Sequence, residues 1–207
     1  MSRILKGATR EAIYDYAERA FVTVLGAWII LRFLPTLASH PFNAVLLTSE
    51  CAAVAMILLR KPAQRMDISA YAVTIALVGT TASLLVQPGR DSLGLAWAGG
   101  LIMLVGGLLS IAAKVSLNRS FGMTAANRGV KRDGPYRFMR HPMYAGYMIT
   151  QAGFFLANPT AWNLSVYAIA WGAQILRIMA EEKVLNQDET YREYAGAVPF
   201  RLVPGVF

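Results

Sequence analysis

The stretch LGLAWAGGLIMLVGGLLSIAAKVSL, residues 93–117, is the longest apolar segment of the chain. Its only charged residue is Lys114. A helix needs about 20 apolar residues to cross the ~30 Å hydrocarbon core of a bilayer. The stretch also lacks the alternating pattern that is typical of a membrane β-strand. It therefore predicts a transmembrane helix.

Five further apolar runs lie on either side of this stretch. They cover residues 20–39, 43–59, 68–87, 142–157 and 161–180. Only helices and closed barrels satisfy all backbone hydrogen bonds in lipid, so we predict an all-α integral membrane protein. We predict five to six transmembrane helices. The count depends on the run at 142–157, which as a helix reaches only about 24 Å, less than the ~30 Å hydrocarbon core.

The composition agrees with a membrane protein. Hydrophobic residues make up 56% of the chain and charged residues 15%, whereas soluble domains are about 25% charged. The net charge of +8 comes from basic residues between the apolar runs, which indicates membrane topology and anionic-lipid contact rather than nucleic-acid binding. One cysteine, Cys51, and two histidines give neither an internal disulfide nor the ligand spacing of a metal site.

The basic residues are distributed unevenly among the loops. Most of them precede the first predicted span or follow the second and fourth spans, which places them on one side of the membrane: Arg3, Lys6, Arg10, Arg19, Arg60, Lys61, Arg65, Arg119, Arg128, Lys131, Arg132, Arg137 and Arg140. Loops 40–42 and 158–160 contain no lysine or arginine, and loop 88–92 contains only Arg90. The positive-inside rule then places both termini and the 118–140 loop in the cytoplasm. The mixed charges of residues 1–19 are not typical of a cleavable signal.

We predict a single membrane domain over residues 1–207. Its first part, residues 1–117, supplies four spans, and residues 118–207 supply a cytoplasmic loop, a helical hairpin and a C-terminal segment. Two charges fall inside the early spans, Arg32 and Glu50. We expect them to pair near the outer side of the bundle or to reach the interface by snorkelling.

The string RHPMYAG, residues 140–146, is the strongest indication of chemistry. Proline is favoured at the first position of a helix, so Pro142 predicts a helix start with His141 at the N-cap. Folding residues 142–180 as a hairpin returns the acidic pair Glu181-Glu182 to His141. Ionisable groups near lipid are usually retained for a function. The pattern therefore predicts a functional site at one mouth of the bundle.

Four elements in order carry a family resemblance: GPYRFMRHPMYAG at 134–146, Asn158-Pro159, Glu181-Glu182 and the ending YREYAGAVPFRLVPG at 191–205. Over about residues 115–207 the chain resembles the isoprenylcysteine carboxyl methyltransferase family. The relatives of that family include the membrane phospholipid N-methyltransferases. The first four apolar runs show no motif of this family.

The resemblance implies a site for S-adenosylmethionine. The residues implied to bind it are Tyr136, His141, Tyr144, Gly146, Asn158, Glu181 and Glu182. The two glutamates suit the ammonium or sulfonium region, and His141 suits the carboxylate or the ribose. Arg140, Glu182 and Arg201 are the candidate catalytic residues, because an arginine can hold an anionic acceptor or headgroup. No metal ion is expected.

The predicted function is methyl transfer from S-adenosylmethionine to a lipophilic acceptor. The acceptor is a small molecule or a lipid-anchored substrate that enters from the bilayer, and its reacting atom is oxygen, nitrogen or sulfur. Two alternatives remain: an NADPH-dependent membrane reductase of the sterol-reductase type, and a non-enzymatic transporter whose conduit uses Arg32 and Glu50. The site is expected to face the cytoplasm, from the plasma membrane of a prokaryote or the endoplasmic reticulum of a eukaryote.

Overall fold

The computed structural model describes residues 2–38, 41, 43–60, 65–87, 95–120, 126–127 and 129–205. The helices in these ranges are α1 Ser2–Phe33, α2 Asn43–Leu59, α3 Ala70–Thr81, α4 Ala96–Leu117, α5 Pro142–Ala157, α6 Ala161–Leu185 and α7 Glu189–Ala197. Short 3₁₀ turns cover Leu34–Thr36, Ala82–Leu85, Asn118–Ser120 and Gly134–Arg137. Two-residue strands, β1 Arg65–Met66 and β2 Ala126–Asn127, pair antiparallel.

The predicted all-helical architecture is confirmed, since a helix occupies each of the six apolar runs. Three details differ from the prediction. Helix α1 extends back to Ser2 through the charged N-terminal residues, and the β1–β2 pair was not predicted. Helix α3 gives way to a 3₁₀ turn after Thr81. There the hydroxyls of Thr81 and Ser83 donate to the carbonyl oxygens of Leu77 and Thr80, and such local bonds compete with regular helix geometry.

Within the described residues, α4 is the one helix long and apolar enough to cross a membrane by length and composition alone. Two shorter apolar segments, Glu50–Leu59 and Ala70–Leu85, fall below that length. One face of α4 exposes large apolar side chains: Trp97, Leu101, Val105, Leu108 and Val115. Their spacing of three to four residues, with a seven-residue step to Val115, forms a single stripe along the helix. A continuous apolar stripe of this kind suits contact with lipid.

The opposite face of α4 packs against α5 through glycines. A Cβ atom added at Gly146 of α5 would lie 2.6 Å from the Ser110 nitrogen of α4. A Cβ atom at Gly153 would lie 2.6 Å from the Gly99 carbonyl oxygen. Small residues let two helix backbones approach this closely, and in lipid such packing is a main source of helix association.

Replacing Gly106 with alanine is expected to destabilise the bundle by about 1–3 kcal/mol, the usual cost of overpacking. The added methyl would lie 2.7 Å from the Gly146 carbonyl oxygen and would also press on Thr150. Gly172 of α6 offers the matched control, because a Cβ atom there meets nothing within 4 Å. Gly172→Ala should be neutral or stabilising by up to about 1 kcal/mol. Thermal midpoints in detergent test this difference, and equal midpoints for the two variants would contradict it.

A buried ion cluster joins α1 to the end of α2, outside the apolar runs. Arg60 Nη1 lies 2.5 Å from a Glu18 carboxylate oxygen, and both side chains are fully buried. Arg60 Nε also donates to Asp15 at 3.0 Å, and Arg19 Nε donates to Asp15 at 2.7 Å. Burial opposes ionisation of Asp15, but the hydrogen bonds from Arg19 and Arg60 outweigh it and lower the pKa of that carboxyl. The cluster therefore ties the two helices together with its charges paired.

The predicted pairing of Arg32 with Glu50 is wrong. The Arg32 guanidinium donates to the carbonyl oxygens of Leu84 and Val86, the latter at 2.8 Å, and lies 5.2 Å from the Trp28 ring centroid. Carbonyl groups at a helix end have no partner within the helix, so the end of the α3 segment offers Arg32 acceptors. Glu50 instead lines a pocket inside the bundle.

Candidate active site

The site begins at the start of α5. The turn Gly134–Arg137 leads into the segment before the helix, and Gly134 takes a φ of +59° that favours glycine. Helix α5 starts at Pro142 with His141 as its N-cap residue, as predicted. The His141 side chain makes no capping hydrogen bond. Its ring is 5% exposed and turns instead toward the acidic pair at the end of α6.

The C-terminal segment closes over this helix start. Asp188 caps α7 by accepting a hydrogen bond from the Thr190 nitrogen at 2.9 Å. After α7 the chain runs beside residues 140–141, where the Arg140 nitrogen donates to Phe200 O at 2.9 Å and the His141 nitrogen donates to Arg201 O at 2.8 Å. These backbone bonds hold Arg140, His141 and Arg201 next to one another.

Glu182 is the centre of the cluster and lies just beyond the apolar run 161–180. One of its oxygens, Oε1, lies 2.8 Å from His141 Nε2 and accepts from the Tyr191 hydroxyl at 2.7 Å. Arg140 Nε lies 3.2 Å from the same oxygen, and Arg201 Nε lies 3.8 Å from Oε2. The Glu182 side chain is 7% exposed. Four groups from three chain segments therefore converge on one carboxylate.

These contacts decide the charge of Glu182. Burial raises the pKa of its carboxyl, but the hydrogen bonds from His141 and Tyr191 and the positive charge of Arg140 outweigh burial, and the pKa falls to about 2. Burial and the hydrogen bond to Glu182 raise the pKa of Tyr191, so that its hydroxyl keeps its proton and donates. Glu182 is therefore a carboxylate at neutral pH.

Glu181 makes a second set of contacts. Its Oε1 accepts a hydrogen bond from the Tyr144 hydroxyl and lies 3.6 Å from Arg177 Nε. Its Oε2 lies 3.8 Å from His141 Nδ1. The Arg177 guanidinium also lies 5.3 Å from the Tyr144 ring centroid, a cation–π distance. His141 thus lies between both carboxylates, and Tyr144 and Arg177 support Glu181.

The cluster contains more positive than negative charge. Three guanidiniums, from Arg140, Arg177 and Arg201, surround two carboxylates. Arg201 is the most accessible of the three, with a side chain that is 40% exposed. An arginine fork that is partly open to solvent binds carboxylate or phosphate groups. The arrangement is therefore suited to an anionic group near Arg201. Among the residues the structure describes, no group of three His, Cys, Asp or Glu side chains is placed to hold a metal ion.

Most of the residues predicted for the site lie together. The cluster contains Arg140, His141, Tyr144, Glu181, Glu182 and Arg201. Tyr136 lies beside it, with a buried side chain and a carbonyl oxygen that accepts from the Tyr194 hydroxyl at 2.6 Å.

Two predicted residues lie elsewhere. Gly146 packs against Ser110 of α4, so the structure places it in a helix interface. Asn158 caps the far end of α5, where its side chain donates to Phe154 O at 3.1 Å. Since α5 has 16 residues, Asn158 is about 24 Å from the helix start. The prediction that Gly146 and Asn158 bind the donor has no support from this geometry, because neither is part of the cluster.

Tyr191 and Tyr194 received no role from the sequence, although both lie inside the motif YREYAGAVPFRLVPG. Their spacing of three residues puts them on one face of α7, and both side chains are buried with their rings 5.7 Å apart. Two aromatic residues on one face of a short polar helix were the sequence feature that could have indicated their role. Tyr191 reaches Glu182, and Tyr194 reaches the backbone of Tyr136.

Comparison with known proteins finds similarity to methyltransferases in this part of the chain. Residues 95–193, from α4 into α7, match the model of the phospholipid methyltransferase family. Two relatives then narrow the resemblance. Protein-S-isoprenylcysteine O-methyltransferase A of Arabidopsis thaliana is 36% identical over 109 residues, which are 48% of this chain and 55% of that protein. Protein-S-isoprenylcysteine O-methyltransferase B of the same plant is 33% identical over 110 residues, with the same two shares.

The chain therefore spans about half the length of the curated relatives it matches. The resemblance to isoprenylcysteine carboxyl methyltransferases is confirmed over this half of the chain. The residues 95–193 that match the family model include His141, Glu182 and Tyr191, whereas Arg201 lies beyond them.

The low pKa of Glu182 predicts a loss of stability in acid. Its folded pKa of about 2 lies below the ordinary value of 4.5, so the stabilisation is complete above about pH 4.5 and disappears as the pH falls toward 2. The linkage amounts to roughly 3 kcal/mol. Thermal midpoints between pH 5 and pH 2 should therefore fall more steeply for the wild type than for Glu182→Gln. Parallel curves would show that Glu182 does not titrate in this way.

Proposed function

We propose that this protein is an integral-membrane methyltransferase that uses S-adenosylmethionine and acts on a lipophilic acceptor. The observation that carries the proposal is the buried Glu182 carboxylate, on which His141, Arg140 and Tyr191 converge. A binding site works best when packing and supporting hydrogen bonds hold its residues in position, and the contacts of Glu182 provide such support. The similarity to a methyltransferase family covers the same residues.

The proposal includes a membrane arrangement. Helices α1 to α6 insert in the bilayer as a single domain, and both termini face the cytoplasm together with the site. The apolar stripe of α4 and the α4–α5 glycine interface support insertion. The positive-inside pattern supports the orientation, since Arg19, Arg60 and Arg140 are at the ends assigned to the cytoplasm.

The residues of the cluster fit the methyl donor. S-adenosylmethionine has a carboxylate, an ammonium, a ribose and an adenine, and when bound it supplies an electrophilic methyl group on a sulfonium. Arg201, with Arg140 beside it, suits the carboxylate because this part of the cluster has excess positive charge. Glu181 suits the ammonium or a ribose hydroxyl, because its side chain is 18% exposed and its Oε2 has only a 3.8 Å approach from His141.

Glu182 has a different role in this proposal. Its carboxylate is already contacted by His141, Tyr191, Arg140 and Arg201. It is therefore a positioning residue, which orients His141 and the two arginines. The neighbouring residues, and not Glu182, contact the methyl donor. This differs from the sequence-based expectation that both glutamates meet the donor directly.

Holding two reactants in line supplies much of the rate of a methyl displacement. The chain accordingly needs a rigid donor site and a neighbouring place for the acceptor more than it needs an acid or a base. The backbone bonds between residues 140–141 and 200–201 supply rigidity at the donor side. The named relatives act on protein-S-isoprenylcysteine, which supports a lipophilic acceptor for this chain.

The experiment is calorimetric titration of the detergent-purified full chain with S-adenosylmethionine, S-adenosylhomocysteine and NADPH. Micromolar binding of the first two, and none of NADPH, is the expected result. Binding of NADPH alone would favour the reductase alternative. A folded protein, verified by circular dichroism, that binds none of the three would overturn the proposal and leave the transporter alternative.

A further inference from the structure

Arg177 of α6 lies between the candidate donor site and the interior of the bundle. It lines a pocket that is bounded by α1, α2, α3, α5 and α6. Tyr144 lines the same pocket, and both side chains also contact Glu181. The pocket therefore adjoins the candidate donor site at Arg177 and Tyr144.

The side of α1 that faces this pocket continues to a carboxylate, Glu18. The α1 residues that line the pocket include Val22, Gly26 and Ile29. Glu18 comes four residues before Val22, and residues four apart share one face of a helix. The Glu18 side chain is fully buried. Glu18 therefore lies on the face of α1 that is turned to the pocket, one turn closer to the N-terminus than Val22.

Glu18 connects the ion cluster of α1 and α2 with Arg177. Its Oε1 accepts a hydrogen bond from Arg60 Nη1 at 2.5 Å, and its negative charge also acts on Arg177. Arg177 Nε in turn lies 3.6 Å from Glu181 Oε1. Charges of alternating sign therefore run from Arg60 through Glu18 and Arg177 to Glu181 at the candidate donor site.

The contact between Arg177 and Glu181 is longer than an ordinary ion pair. Charge-assisted hydrogen bonds from nitrogen to oxygen are usually about 2.7–2.9 Å long, whereas these two side chains are 3.6 Å apart. They are four residues apart on α6, a spacing that allows close pairing. Glu18 belongs to another helix, so its attraction draws the Arg177 guanidinium toward α1. This attraction opposes a closer approach to Glu181.

We propose that Glu18 is a positioning residue of the donor site, which draws Arg177 away from Glu181 and so keeps that carboxylate available to the ammonium of S-adenosylmethionine. The inference rests on the proposed function, in which Glu181 suits the ammonium. A carboxylate that is paired closely with a guanidinium attracts a second cation less strongly. The family match covers residues 95–193, so Glu18 brings a residue from outside that match into the site.

Two ligands that differ only in the ammonium group test this role. S-adenosylhomocysteine carries the ammonium, and its desamino analogue has a hydrogen in that place. Calorimetric titration of the detergent-purified full chain should show that Glu18→Gln binds S-adenosylhomocysteine about tenfold more weakly than the wild type does, a usual size for coupling within one salt-bridge network. Binding of the analogue should be unchanged, because it has no ammonium for Glu181 to bind. Equal losses for both ligands, or no loss for either, would overturn the inference.

Asp15→Asn is the matched control, because it makes the same change from carboxylate to amide within the same ion cluster. Asp15 lies 2.5 Å from Arg60 and 2.7 Å from Arg19, so it is further than Glu18 from Arg177 along the series of charges. If Glu18 acted only by stabilising the contact between α1 and α2, both variants should weaken ligand binding alike. We expect Asp15→Asn to bind S-adenosylhomocysteine with wild-type affinity, and a tenfold loss there would contradict the positioning role.

The variant Arg177→Met tests whether Glu18 acts through Arg177. In protein that carries Arg177→Met, the addition of Glu18→Gln should leave the affinity for S-adenosylhomocysteine unchanged, because no guanidinium remains to approach Glu181. A further tenfold loss in the double variant would overturn the inference. If Glu18→Gln alone does not fold, Glu18→Met combined with Arg60→Met replaces it, since these changes remove the Glu18 charge together with its buried partner.

Thermal midpoints without ligand separate this inference from the proposed function. The combined effect of Glu18→Gln and Arg177→Met should be smaller than the sum of their separate effects, because both changes remove the same attraction. If the wild type binds no S-adenosylhomocysteine but the midpoints are non-additive in this way, the methyltransferase proposal fails and the placement of Arg177 by Glu18 holds. Additive midpoints would overturn the inference whether or not the ligand binds.

Discussion

Replacing Glu182 with glutamine should weaken S-adenosylmethionine binding by about 100-fold, the loss expected when one member of a buried, hydrogen-bonded charge set is removed. The amide would keep one oxygen but would place an N–H₂ group among donors, since His141 and Tyr191 both reach Glu182 Oε1. Arg140 would lose the carboxylate that lies 3.2 Å from its Nε. Calorimetric titration of wild type and variant measures the effect.

Two further variants test whether the loss of S-adenosylmethionine binding is specific to Glu182. Glu193→Gln makes the same chemical change on an exposed side chain whose contact with Arg132 is 3.5 Å long, and it should leave binding unchanged. Tyr191→Phe removes only one of the four contacts of Glu182, so its effect should be smaller, about tenfold. Wild-type affinity in Glu182→Gln, with normal circular dichroism, would show that the cluster does not organise the donor site.

The start of the site could be predicted because local rules determine it. Proline at the first helical position and the polar residue before it define the beginning of α5, and the structure places that start at Pro142. The hairpin then returns Glu181 and Glu182 to His141, since α5 and α6 are joined by a three-residue connection, 158–160. The helix start and the hairpin both depend on residues that are close in the sequence, so a single sequence is enough to predict them.

Contacts between helices could not be predicted in the same way. An apolar run predicts that a helix forms. It does not show how that helix is rotated about its axis or which helices it packs against. Arg32 was therefore expected to pair with Glu50 or to snorkel to the interface, whereas in the structure it donates to backbone carbonyls after α3. The contact between Tyr191 and Glu182 depends on how α7 docks against α6. Asn158, at the C-terminal end of α5, lies at the opposite end of that helix from the cluster.

Replacing Arg60 with methionine should destabilise the bundle by about 3–5 kcal/mol, the usual cost of removing one partner from a buried ion pair. Glu18 is fully buried and would lose the guanidinium 2.5 Å from its carboxylate. Asp15 would lose one of the two arginines that lower its pKa. The thermal midpoint in detergent should fall sharply, whereas Arg137→Met, on an exposed side chain outside the cluster, should shift stability by less than about 0.5 kcal/mol.

The double variant Glu18→Met, Arg60→Met separates lost pairing from lost packing. If the penalty in Arg60→Met comes from the buried Glu18 charge, removal of that charge should restore at least half of the stability, because apolar replacements of a buried ion pair are often neutral. Asp15 would keep the hydrogen bond from Arg19 Nε at 2.7 Å, so no buried carboxylate would depend on Arg60. A double variant as unstable as Arg60→Met would show that the arginine acts through packing between α1 and α2.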